Sequence, residues 1–92
     1  ENITPNEFKL IGNYPNPFNN STVIKFNLPN SGNVEITVYN INGQKVATAF
    51  NGNLNAGINN ISFTSDNLSS GIYIYCVETN SNISQGKMML IK

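Results

Sequence analysis

The sequence predicts an all-β fold, a sandwich of seven antiparallel strands, and three observations support this prediction. The apolar residues are mostly strand formers, with eleven Ile, five Val, five Phe and four Tyr, against only three Ala and four Glu. Asn accounts for nineteen of the 92 residues, and Asn favours turns and disfavours helix interiors. Turn signals recur about every eight to twelve residues, the spacing expected of a sandwich or barrel.

Between these turns, apolar and polar residues alternate, so a period of two organises each segment. Ile24, Phe26 and Leu28 lie on one side of an extended chain, whereas Lys25 and Asn27 lie on the other. The same alternation recurs in the later segments. It predicts seven strands, near residues 8–13, 22–28, 33–40, 45–50, 58–64, 71–79 and 84–91.

Two prolines define the connection between the first two strands. Pro15 and Pro17 fix their own φ angles and keep the preceding residues extended. The sequence therefore predicts a stiff, kinked turn here, with Tyr14 and Phe18 able to pack at its two ends.

Turns rich in Asn, Ser and Gly separate the remaining strands. Asn42-Gly43 predicts a hairpin between the third and fourth strands, with a type I′ turn that needs positive φ at both residues. Residues 68–73 (Leu-Ser-Ser-Gly-Ile-Tyr) are typical of a tyrosine corner, in which Tyr73 donates a hydrogen bond to the backbone a few residues upstream. These features favour an immunoglobulin-like sandwich of two packed sheets. Further turns are predicted at residues 29–32, 51–53, 55–57, 65–67 and 80–82.

Two segments are apolar at consecutive positions and therefore have two apolar faces. Residues 72–77 (Ile-Tyr-Ile-Tyr-Cys-Val) are typical of a strand at the centre of its sheet. Residues 88–91 (Met-Met-Leu-Ile) end the last strand, where an apolar outer face indicates one of two things. Either a partner binds there, or residues 1–13 or a loop cover it.

The charged residues exclude several classes of function. Five Lys balance four Glu and one Asp, and the chain contains no Arg, His or Trp. No basic stripe is available to neutralise nucleic-acid phosphates or anionic lipids, so neither is predicted as a partner. Without His, the His-dependent hydrolytic triads and most zinc sites are excluded. A single cysteine, Cys76, cannot form an internal disulfide, and we predict that it is a buried small apolar residue.

Three candidate sites have simpler structural explanations, and no cofactor is predicted. Catalysis by a carboxylate pair needs two carboxyl groups roughly 5–9.5 Å apart in a cleft, whereas the five carboxylates fall on separate elements of a small sandwich. The possible calcium ligands are mostly neutral amides, which bind calcium weakly and which turn formation explains: Asn51, Asn53, Asn55 and Asp66. The possible aromatic platform for a sugar contains no Trp, and packing explains its members better: Tyr14, Phe18, Tyr39, Phe50 and Tyr75.

Four motifs resemble those of one known family and occur in that family's order. The segment Tyr14-Pro15-Asn16-Pro17-Phe18 resembles the signature that opens the C-terminal sorting domain of the type IX secretion system, type A. Residues 34–46, with the turn at Gly43, resemble its middle motif. Residues 68–73, with Leu68, Gly71 and Tyr73, are similar to the family's third motif, Leu-x-x-Gly-x-Tyr. The closing motif, an apolar run between two lysines, is similar to Lys87, Met88, Met89, Leu90, Ile91 and Lys92.

The resemblance covers residues 14–92, with two departures. Lys45 stands where the family commonly has Arg, and Asn20 stands where a Pro often follows Phe-Asn. Neither departure affects the predicted fold, although Lys lacks the bidentate geometry with which Arg binds a carboxylate.

The resemblance implies a non-catalytic secretion signal. Such a domain directs a larger cargo protein through the periplasm and across the outer membrane of a Gram-negative bacterium, to the cell surface or the medium. Its implied partners are the outer-membrane translocon and shuttle proteins, an upstream cargo domain, and a cell-surface sortase that removes the domain. On this interpretation residues 1–7 are a linker from the cargo, residues 8–92 form the sorting domain, and the sortase cuts N-terminal to residue 8.

The closing motif also suggests how the domain is recognised. We expect the last strand to present its apolar side chains, the ammonium groups of Lys87 and Lys92, and the C-terminal carboxylate to the translocon. The alternative function is a carbohydrate-binding or accessory sandwich module of a secreted hydrolase, which only the Tyr and Asn content supports.

Overall fold

Seven antiparallel strands make up the secondary structure of residues 6–92, the part of the chain that the computed structural model describes. This confirms the all-β prediction. The strands are β1 (Lys9–Tyr14), β2 (Ser21–Leu28), β3 (Gly32–Asn40), β4 (Lys45–Leu54), β5 (Gly57–Thr64), β6 (Gly71–Glu78) and β7 (Ile83–Leu90). The described residues form no helix, and hence none that is long and apolar enough to cross a membrane.

The strands form two sheets that pack as a sandwich. One sheet has the order β1-β2-β5 and the other the order β4-β3-β6-β7. A constant-type immunoglobulin domain places its fourth strand in the sheet of the first two strands, whereas here β4 pairs with β3. β6, with its two apolar faces, lies between β3 and β7, which confirms the predicted central position.

The core lies between the sheets, and β2, β3 and β6 supply it with alternate residues. The inward side chains of β3 are fully buried at Val34, Ile36 and Val38, and they face Phe26 and Phe63 of the other sheet. The register explains this arrangement, because alternate residues along a strand point to opposite faces of its sheet. The predicted period of two therefore defines the core.

The polar side chains that are buried all have hydrogen-bond partners. Thr22 Oγ1 donates to the backbone oxygen of Pro15 (2.8 Å), and Asn27 Nδ2 donates to that of Glu7 (2.7 Å). Ser65 Oγ donates to the backbone oxygen of Asn20 (3.3 Å). Among the described residues, no buried side-chain nitrogen or oxygen lacks a partner, so burial of these groups carries no uncompensated desolvation cost.

The tyrosine corner predicted before β6 is present. The hydroxyl of Tyr73 donates to the backbone oxygen of Ser69 (2.7 Å), four residues upstream, and the Tyr73 side chain is buried. Gly71 adopts φ 155°, a conformation that other residues rarely adopt. This corner fixes the point at which the chain enters the central strand β6.

The β3–β4 hairpin is confirmed, but its predicted turn type is wrong. Gly43 has φ 83°, and Asn42 does not share a positive φ, whereas a type I′ turn requires positive φ at both positions. Gly43 N donates to Asn40 O (3.0 Å), and the side chain of Asn40 accepts from the backbone of Asn42 and Gln44. The Asn40 side chain thus stabilises a three-residue loop that ends in a left-handed glycine.

The turn predicted at residues 51–53 is also wrong, because β4 continues through it to Leu54. Val34 pairs with Gly52 and Asn33 pairs with Asn53, so this Asn-Gly-Asn segment is part of the sheet. Two register irregularities, opposite Ile36/Thr37 and Val38/Tyr39, bend β4 at the edge of the sheet. Pairing to β3 outweighs the local turn preference of Asn and Gly.

Packing against Gly86 provides a test of this core. A Cβ atom at Gly86 would overlap the ring of Tyr75, which is buried. We expect Gly86→Ala to lower the free energy of unfolding by about 1–3 kcal/mol, because a rigid buried ring has to shift. Gly52→Ala is the matched control, since its Cβ would meet the Phe50 ring at an ordinary 3.4 Å. Chemical denaturation of both variants measures the difference, and equal stabilities would contradict this packing.

Stability should also fall at alkaline pH. Burial raises the pKa of Tyr75 above its ordinary value of 10.0. The pKa of Cys76 is raised above its ordinary value of 9.0, mainly by burial and further by the negative charges of Glu78 and Glu35. The unfolded chain therefore loses these protons first, and the free energy of unfolding decreases as the pH rises above 9.0. Denaturation curves at pH 8 to 11 measure this effect. Tyr75→Phe should weaken the decrease around pH 10, and an unchanged profile would contradict the assignment.

Candidate recognition site

The last strand, β7, divides its side chains between the core and the solvent. Met88 and Leu90 point inward and are 1% and 0% exposed, so neither can contact a partner while the sandwich is folded. Lys87, Met89 and Ile91 point outward, and the apolar pair is 39% and 50% exposed. The closing motif thus presents only part of its sequence to solvent.

The outer edge of β7 is paired with the connection between β1 and β2. Phe18 N donates to Met89 O, and Ile91 N donates to Phe18 O, both at 2.9 Å. The amide of Asn16 completes this pairing: Met89 N donates to its Oδ1 (3.0 Å), and its Nδ2 donates to Lys87 O (3.1 Å). The side chain of Asn16 therefore takes the place of a peptide group along the edge of β7.

A small polar network positions Asn16 for this role. Asn16 Nδ2 also donates to Asn13 Oδ1 (3.3 Å), and Asn13 Nδ2 donates to Thr22 Oγ1 (3.1 Å). Thr22 in turn donates to Pro15 O, and the peptide bonds that precede Pro15 and Pro17 are both cis. The chain bends between β1 and β2, as the two prolines predict, whereas the predicted stiffness of this turn stays a prediction.

The two aromatic residues of this connection have opposite environments. Phe18 is 2% exposed and packs edge-on against Phe63, with ring centroids 6.4 Å apart. Tyr14 is 82% exposed, so the expectation that it packs at the other end of the turn is wrong. Tyr14 is the last residue of an edge strand, and its side chain points away from the core.

The chain beyond β7 is held as well. Ile91 N is bound by Phe18, and Lys92 N donates to Ser70 Oγ (2.9 Å) beside the tyrosine corner. Leu68, from the same connection, is half-buried and packs against the core. The first, third and fourth motifs of the sequence therefore meet at one end of the sandwich.

The outer face of the four-stranded sheet carries residues from all of its strands. The register places Lys45, Tyr39, Ile74 and Lys87 in one row across β4, β3, β6 and β7, and Ile72 lies opposite Met89 in the adjacent row. We call these six residues the cationic patch. Ile72 is 36% exposed, and the two lysines are exposed.

Two carboxylates lie at the other end of the same face. Glu35 and Glu78 are direct cross-strand neighbours on β3 and β6, with Ile83 beyond Glu78 on β7. Sequence analysis placed these carboxylates on separate elements and missed their pairing. Only the β3–β6 register reveals it, and no local signal encodes that register. Cys76 lies beside them and is buried, as predicted.

The structure does not bring together the residues of the possible calcium site or of the possible sugar platform. Within residues 6–92, no group of three or more His, Cys, Asp or Glu side chains is placed to hold a metal ion. Asn51 and Asn53 lie in β4, whereas Asp66 lies in the connection after β5. The five aromatic residues of the possible sugar platform are divided, with Phe18 and Tyr75 in the core.

Comparison with known families agrees with the sequence motifs. A family described as the secretion system C-terminal sorting domain matches residues 13–92. The chain belongs to this family. The match supports a type IX secretion C-terminal sorting signal, and it implies export across the outer membrane and interaction with the secretion machinery. No curated protein and no solved structure matches the chain.

Replacing Asn16 tests how the edge of this sorting domain is held. Asn16→Ala removes the bonds to Lys87 O and Met89 N, and we expect it to lower the free energy of unfolding by about 1–2 kcal/mol. The amide of Met89 should then exchange faster with solvent deuterium. Asn19→Ala, at an exposed neighbour, is the matched control and should leave both quantities unchanged. Unchanged exchange at Met89 in Asn16→Ala would show that this side chain does not protect the edge.

Proposed function

We propose that the domain is a non-catalytic export signal, and that the translocon and shuttle proteins of the type IX system bind the outward residues of the last strand. The observation that carries this proposal is the alternation along β7. Its inward residues stabilise the sandwich, while Lys87, Met89, Ile91 and Lys92 remain exposed. The same strand can therefore be folded and recognised at once.

Preorganisation supports this proposal. The pairing with Asn16 and Phe18 and the bond from Lys92 N to Ser70 Oγ hold the closing motif in place. A partner that binds a tail already fixed in one conformation loses less conformational entropy than one that orders a flexible tail. Exposed Met89 and Ile91 supply apolar area, and the two lysines supply charge.

We further propose that residues 1–7 link the sorting domain to a cargo and that a cell-surface sortase cuts in or before this linker, which lets the cargo be joined to the cell surface. The anchoring of the first described residues supports a cut N-terminal to residue 8. Glu7 O accepts from Asn27, and the ring of Phe8 lies 6.3 Å from that of Phe26. Residues 1–5 lie outside the described part of the chain.

A reporter fusion tests the proposal. Residues 1–92 are fused behind a fluorescent protein and expressed in a type IX-competent strain and in a translocon-null strain. We expect the reporter at the cell surface or in the medium only in the competent strain. The double variant Met89→Asn/Ile91→Asn should reduce the exported fraction at least about tenfold, equivalent to a loss of about 1.4 kcal/mol of binding.

This design separates recognition from folding. Deletion of residues 87–92 would also remove Met88 and Leu90 from the core, so outward substitutions are the cleaner test. Ile83→Asn is the matched control, because Ile83 is 65% exposed and points outward at the other end of β7. Thermal melting of each purified domain should show intact folding. Normal export of the folded double variant would overturn the proposed role of the tail.

A further inference from the structure

The cationic patch extends the exposed surface of the last strand across the whole sheet. Lys87 and Met89 belong to it, and their cross-strand neighbours Ile74 and Ile72 continue the apolar surface onto β6. Tyr39 and Lys45 extend it to β3 and β4. The surface that a partner meets at the tail is therefore not confined to the tail.

A hollow lies on this surface. It has a volume of about 310 Å³ and is lined by Tyr39, Ile41, Ile74 and Gln85 together with the neighbouring loop. Ile41, in the loop of the β3–β4 hairpin, is 75% exposed. A hollow of this size accepts an apolar side chain of a bound protein, which is how interface anchors are commonly seated.

A partner has to approach this surface from the face and not from the edge. Strand addition to β7 needs free backbone groups along its edge, but those of Lys87, Met89 and Ile91 already pair with Asn16 and Phe18. Side chains on the face of the sheet are therefore the available contacts at the C-terminal end of β7.

The positions of the lysines and glutamates on this face determine which charged groups a partner needs in order to bind. Lys45 and Lys87 stand at opposite ends of one row, three strand spacings or about 14 Å apart. Their row contains no carboxylate, and Glu35 and Glu78 lie at the other end of the face. Carboxylates on the partner are attracted to the lysine row and repelled by the glutamates, which fixes both the position and the orientation of binding.

We propose that the cationic patch is the docking surface for the secretion machinery, and that its occupant is a protein surface with an apolar centre flanked by carboxylates. This inference rests on the proposed function. It identifies the surface of the domain that the secretion machinery contacts and the chemistry of the partner that binds there. It adds residues outside the closing motif, namely Tyr39, Lys45, Ile72 and Ile74, to those that determine export.

Charge reversal at Lys45 tests this inference. Lys45 lies 42 positions before Lys87 in the sequence, so its substitution leaves every residue of the closing motif unchanged. In the reporter fusion, Lys45→Glu should reduce the exported fraction about fivefold or more, whereas Lys45→Arg should leave it unchanged. Lys25→Glu is the matched control on the outer face of the other sheet, between Gly12 and Asn60 in the register, and should export normally.

An apolar pair of substitutions tests the same surface without a change in charge. Ile72→Asn alters the patch at a side chain that is 36% exposed, and Ile58→Asn alters the other sheet at one that is 46% exposed. We expect only Ile72→Asn to reduce export. All variants should melt at nearly the same temperature as the parent domain, because each substitution replaces a partly or fully exposed side chain.

The outcomes distinguish the two proposals. Normal export of folded Lys45→Glu and Ile72→Asn, with failure of Met89→Asn/Ile91→Asn, would leave the tail as the signal and overturn the patch. Normal export of all these variants would overturn both proposals. If size-exclusion chromatography showed that the domain is a dimer, and Lys45→Glu made it monomeric without loss of export, a second copy would be the occupant and the inference would be wrong.

Discussion

The pairing of Asn16 and Phe18 with the edge of β7 is the constraint on which the rest of this structure depends. An edge strand tends to fray, because half of its backbone groups have no partner in the sheet. Here the backbone of Phe18 and the amide of Asn16 supply those partners from more than 70 residues earlier in the chain. The tail is thereby fixed as a strand, and its side chains acquire definite inward and outward positions.

The same pairing explains why one short segment contains such different residues. The prolines set the path of the connection, Asn16 satisfies the edge of β7, and Phe18 fills the core below it. Asn16 and Phe18 thus make different contacts within the same short segment. Tyr14 is the exception, since its exposed ring contributes to none of these contacts.

Positive and negative charges are also separated on the outer face of the four-stranded sheet. The lysine row and the glutamate pair occupy opposite ends of one face of the four-stranded sheet, so positive and negative charge are separated along it. The proposed docking would use this separation to discriminate between partners through repulsion as well as attraction. The cost is a pair of like charges in direct cross-strand contact, Glu35 and Glu78, which a sheet optimised for stability alone would avoid.

The sequence by itself determined the class of fold, the seven strands and the tyrosine corner, because alternation and turn chemistry act over a few residues. It also revealed the two apolar faces of the tail. It misassigned residues 51–53 as a turn, since pairing with β3 extends β4 through them. Local sequence likewise does not encode the exposure of Tyr14 or the turn type at Gly43, which depend on the surrounding chain.

Only the tertiary structure decided which residues from distant strands become neighbours. The sheet that β4 joins, the opposition of Glu35 and Glu78, and the row that connects Lys45 to Lys87 all follow from the register between strands. Register is set by the simultaneous packing of both sheets, because a slip of one residue would turn a buried side chain to solvent. The motifs therefore identified the family, and packing decided which side chains of β7 face the solvent.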